Sequence, residues 1–101
     1  MRPSLYYNRQ GEPIGLHEWA DLMEDAEYRL VANTEVGPYR ISTVWLGLDH
    51  SWSSIVGGPG VPIIFETMVF GGGGEIQQRY DTEAQARRGH DAIVAEVTDW
   101  T

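Results

Sequence analysis

The segment Pro62-Ile63-Ile64-Phe65-Glu66-Thr67-Met68-Val69-Phe70 constrains this chain most, because it reads as a buried strand with a carboxylate at its centre. Strand periodicity sends Ile63, Phe65, Thr67 and Val69 to one sheet face and Ile64, Glu66, Met68 and Phe70 to the other. Both faces are largely apolar, so Glu66 has no evident wet side to choose. Desolvating a carboxylate is costly unless it is paired, hydrogen-bonded or protonated. Glu66 therefore needs compensation, either from a structural partner such as Arg40 or Arg79 on a neighbouring strand, or from a ligand site.

The flanking segments supply the rest of a sheet. Tyr39 to His50 alternates, with Ile41, Thr43 and Trp45 on one face and Val44, Leu46 and Leu48 on the other. Tyr28 to Val36 alternates more loosely before a Gly37-Pro38 turn, and Glu75 to Tyr80 reads as a further strand after the glycine break Gly71 to Gly74. Tyr6 to Ile14 predicts a short hairpin turning at Gln10-Gly11. Leu16, Trp19, Ala20 and Met23 recur at helical spacing, with Gly15 a weak cap. Thr82 and Gln85 have the spacing of a capping box and open a last helix whose apolar stripe is Ala86, His90, Ile93 and Val97. The expected fold class is α+β: a mostly antiparallel β-sheet of about four or five strands with two helices packed on it, in a single domain spanning residues 1–101.

Charge narrows the partners. Fifteen acidic residues against seven basic ones give a formal net charge of −8, and every basic residue is arginine. That balance opposes direct binding of nucleic acid or an anionic membrane, where basic groups supply most of the affinity. Any anion site would use planar guanidinium forks rather than lysine point charges. The absence of cysteine removes disulfides and thiolate chemistry and suits a cytoplasmic setting. No apolar run approaches membrane-spanning length, and Met1 to Tyr7 lacks the apolar core of a secretion signal.

Two constellations could carry chemistry. Asp49, His50 and Glu66 combine acids with an imidazole, as general acid–base catalysis would need, in a small hydrolase or lyase. The three histidines, His17, His50 and His90, have no metal-ligand spacing, so no metal or cofactor is expected. The second constellation is a ligand-binding one: Trp45, Trp52, His50, Glu66, Arg40 and Arg79 around mobile glycine loops, including Gly57-Gly58-Pro59-Gly60. Nucleophile-elbow and phosphate-loop patterns are absent. His90, on an apolar stripe, reads as a core residue rather than a ligand.

Tyr6 to Ile14, the Ser42-Thr43-Val44-Trp45-Leu46-Gly47-Leu48-Asp49-His50 and Ile64-Phe65-Glu66-Thr67-Met68-Val69-Phe70-Gly71 blocks, and Arg79 to Glu83 with Gly89-His90 resemble a family of small proteins encoded by bacteriophages and prophages. The resemblance spans nearly the whole chain and carries no catalytic residues with it. It implies a small, acidic product in the cytoplasm of an infected host cell, of a type often acting in counter-defence. Three functional expectations follow. The first is a non-enzymatic protein, possible as a homo-oligomer, that sequesters a nucleotide-derived signal. The second is an acidic inhibitor of a host defence or nucleic-acid-binding protein, using Glu12, Glu18, Asp21, Glu24, Asp25 and Glu27. The third is the hydrolase or lyase using Glu66, His50 and Asp49.

Overall fold

The computed structural model describes residues 5–49, 62–71 and 76–101. His50, Trp52, the Gly57–Gly60 cluster and Gly72 to Gly74 lie outside the described residues. The order is β1 (Tyr6–Tyr7), β2 (Pro13–Ile14), α1 (Leu16–Met23), α2 (Ala26–Arg29), β3 (Leu30–Val36), β4 (Tyr39–Trp45), β5 (Phe65–Phe70), β6 (Gln77–Tyr80) and α3 (Glu83–Trp100). β3, β4, β5 and β6 form an antiparallel sheet in chain order, while β1 and β2 make a separate two-stranded ribbon. The fold is α+β, and no described helix is long and apolar enough to cross a membrane.

The elements form where local chemistry asks for them. Tyr6 pairs with Ile14 and Tyr7 with Pro13, and Gly11 closes the turn at φ +82° while its N–H donates to the Asn8 carbonyl. Gly15 gives α1 no side-chain cap, and that helix stops after eight residues. Asp25 then caps α2 by accepting from the Glu27 and Tyr28 N–H groups. α1 thus covers the Leu16-to-Met23 pattern, while α2 is a further helix that takes in Tyr28 and Arg29, so the strand read from Tyr28 begins only at Leu30. Thr82 caps α3 by accepting from the Gln85 N–H at 3.1 Å, and the helix buries Ala86, His90, Ile93 and Val97, the stripe its spacing predicts.

That stripe lies on the sheet face built from Thr34, Ile41, Thr43, Phe65, Thr67 and Val69. Two apolar groups fill the layer between: Tyr7, Val31, Trp45, Ile64, Phe65 and Ala86 at one end, and Ile41, Val69, Ile93 and Val97 at the other. A polar chain crosses the layer between them. The two His90 ring nitrogens contact the hydroxyls of Thr43 (2.8 Å) and Thr34 (2.9 Å), and Thr43 in turn bonds Thr67. His90 is 2 % exposed, yet both its nitrogens have partners, as a buried imidazole requires.

The Trp45-to-Asp49 block is an architectural joint. β4 ends at Trp45, and Gly47 turns the chain at φ +72°, so Leu46 and Leu48 do not continue the strand's alternation. A Cβ on Gly47 would overlap the Trp45 ring and stand 2.6 Å from Trp19 Cδ1. Trp45 Nε1 donates to the Tyr7 carbonyl, Trp19 Nε1 donates to the Leu46 carbonyl, and the Tyr7 N–H donates to the Gly47 carbonyl. Leu48 bridges to Tyr6. The ribbon and α1 are thus fastened to the end of the sheet by one short, tryptophan-lined turn.

Candidate functional site: the open face of the sheet

Pairing register decides which groups meet. Arg40 lies opposite Phe70, Ser42 opposite Met68, and Val44 opposite Glu66; Glu66 in turn lies opposite Arg79 and Met68 opposite Gln77. Glu35 and Asn33 extend the first two rows onto β3. These side chains occupy the sheet face turned away from α3, because β4 and β5 residues alternate with the Ile41, Thr43, Phe65 and Thr67 set. Among the described residues, no helix packs on this face.

Glu66 finds its partners there. It is 9 % exposed, and its Oε2 accepts from Arg79 Nε at 3.0 Å and Gln77 Nε2 at 2.5 Å. The cation opposite Glu66 is therefore Arg79 rather than Arg40. Arg40 sits two rows further along β4 with its guanidinium 4.5 Å from the centre of the Phe70 ring. Standard strand spacings put the two arginines about 14 Å apart along the strands and about 10 Å apart across them, so they do not form one anion fork. The Gln77 contact was not anticipated from the sequence. Its signal is the alternation of Gln77 and Arg79, which sends both side chains of β6 to the face of Glu66.

The other candidate residues stand elsewhere. Trp45 is 1 % exposed on the α3 side of the sheet, edge-on to Tyr28, so no single ligand can touch both its ring and Glu66. Asp49 is buried, and its Oδ1 accepts from the Ile63 N–H at 3.0 Å. Its backbone N–H donates to the Leu5 carbonyl. It thereby clamps together the two ends of the chain that flank residues 50–61, and His50 and Trp52 fall within that interval. Of the ligand-binding set, the open face brings together Glu66 and Arg79, keeps Arg40 on the same face at a distance, and excludes Trp45.

Electrostatically the face differs from the rest of the molecule. Among the described residues its acids, Glu35 and Glu66, are matched by two arginines, Arg40 and Arg79, in a chain of net charge −8. The apolar components are half-buried Val44 and Met68 and the exposed ring of Phe70. Chemically, the arrangement offers a flat apolar floor edged by one carboxylate–guanidinium pair and one aromatic-backed guanidinium. The scaffold that carries this face is α+β. No family model, curated protein or solved structure matches the chain.

Proposed function

We propose that this chain is a non-enzymatic binding protein that takes a small nucleotide-like ligand on the open face of its sheet. The observation that supports this reading most is the Glu66–Arg79 pair with Gln77, a hydrogen-bonding edge set beside the apolar surface of Val44 and Met68. Small-ligand sites combine this kind of apolar floor with a few convergent polar groups. In the setting implied by the likeness to phage-encoded proteins, the role is counter-defence by sequestering a nucleotide-derived signal in the infected cell. The hydrolase or lyase alternative has less support. Asp49 is committed to the Ile63 backbone, and Glu66 to an arginine and an amide.

Native mass spectrometry of protein purified from phage-challenged cells tests the proposal. The expected result is an intact nucleotide-like molecule at stoichiometric occupancy, lost from the double variant Glu66→Gln/Arg79→Gln. That variant removes both charges together and leaves no orphaned ion in the sheet. Wild-type protein recovered empty, or a ligand retained by a folded double variant, would sink the proposal.

A second reading is favoured by one observation. Glu12, Glu18, Asp21, Glu24, Asp25 and Glu27 are all exposed, and among the described residues no arginine pairs with any of them. An inhibitor of a basic host protein would use that ridge, with salt-sensitive association. Capture of such a protein by the wild type, but not by a variant with Glu18, Asp21 and Glu24 neutralised, would favour it.

A further inference from the structure

The Glu66–Arg79 pair has a property that a simple anion site lacks. Both donors to Glu66 converge on Oε2, and Oε1 accepts from no described residue. Arg79 in turn gives only its Nε to Glu66, its terminal nitrogens bond no described residue, and its side chain is 44 % exposed. The pair therefore presents an acceptor and a set of donors beside each other. Its two formal charges cancel, and the carboxylate repels any phosphate approaching the guanidinium. The net charge of −8 adds to that repulsion. Resting on the ligand-binding reading above, we propose that this pair reads the hydrogen-bonding edge of an uncharged heterocyclic ring and does not hold a phosphate. Oε1 of Glu66 accepts an N–H from the ring, and the terminal N–H groups of Arg79 donate to an adjacent ring nitrogen or carbonyl. The flat ring then rests toward Val44 and Met68, the apolar neighbours of Glu66 on β4 and β5. Nucleobases carry such adjacent donors and acceptors on one flat, uncharged edge, whereas phosphate and sugar phosphate bring a negative charge and no flat ring.

Titration calorimetry with a fixed panel of probes tests this: the four nucleosides, their 5′-monophosphates, ribose 5-phosphate, inorganic phosphate, and nucleosides methylated on the edge nitrogens. The expected result is that at least one nucleoside binds within about tenfold of its monophosphate, with edge methylation weakening it by about tenfold or more, in line with loss of a hydrogen bond to a charged group. Ribose 5-phosphate and inorganic phosphate should not bind. In folded Glu66→Gln the preference should invert: nucleoside binding weakens, and ribose 5-phosphate gains affinity for the unmasked Arg79. A merely structural Glu66 would not produce that exchange. If the phosphates bind and the nucleosides do not, this inference is overturned while the small-ligand reading survives. If no probe binds, both fall.

Discussion

Gly47 shows how much one residue decides. Its positive φ disfavours any side chain, and the space a Cβ would take is filled by Trp45 and Trp19. Gly47→Ala should therefore cost about 2–4 kcal/mol, combining backbone strain with overpacking, and a urea unfolding midpoint will read it. His90 makes a different prediction. Burial lowers its pKa below the usual histidine value of 6.5, against a smaller upward pull from Asp91. The unfolded chain then binds a proton that the folded one resists, so the stabilisation is complete above about pH 6.5 and is lost as pH falls below it. Unfolding free energy should drop from pH 7.5 toward pH 5.5, and His90→Gln should be less stable at neutral pH with a flatter profile. An unchanged slope in that variant would assign the pH dependence to other groups. The buried position of His90 was legible from its place on the stripe. The Thr34, Thr43 and Thr67 hydroxyls around it were not, although Thr43 and Thr67 on inward strand positions were a visible demand for partners.

Elements are joined here by a few polar ties as well as by the core. Arg9, at the ribbon's turn, makes a two-point contact with Glu83 in the first turn of α3, at 2.8 and 2.7 Å. It also donates to the Tyr28 carbonyl at the end of α2. Arg9 is the main cause of the lowered Glu83 pKa, with Arg87 assisting, while desolvation opposes both. The sign is the same as for His90, in a more acidic window: this contribution is present above the ordinary carboxylate range and is lost as pH falls through the folded pKa. Arg9→Met should destabilise by about 1–3 kcal/mol at neutral pH and lose part of that penalty in acid, which paired denaturation curves will show. Gly89 tests packing against propensity. Alanine should improve α3 by about 1 kcal/mol on intrinsic grounds. Yet its Cβ would overlap the Tyr80 ring. We expect Gly89→Ala to be net destabilising, and Tyr80→Val in the same chain to recover part of the loss; a stabilised single variant would contradict this packing. The start of α3 was readable from Thr82 and its spacing to Gln85. The short helix α2 was not, because it rests on the cap at Asp25 and takes Tyr28 and Arg29 from a segment whose loose alternation reads as strand.

At the scale of the whole molecule, charge is unevenly spread. Among the described residues the sheet's open face is balanced, whereas the ribbon, α1 and α2 carry exposed carboxylates without arginine partners. Screening that self-repulsion should raise the urea midpoint as sodium chloride is added at low ionic strength. A midpoint that falls instead would mean that the ion pairs outweigh the repulsion. The sequence by itself determined the α+β class, the hairpin, the alternation of β4 and β5, the last helix with its buried stripe, and the need of Glu66 for a partner. Those features depend on periods, caps and charges acting within a few residues of each other. Only the tertiary structure decided that Arg79 and Gln77 meet Glu66, that Arg40 rests on Phe70, and that Trp45 faces away from them all. Strand register and the turn at Gly47 set those outcomes. Both are fixed by pairing and packing between distant segments, which local patterns do not encode.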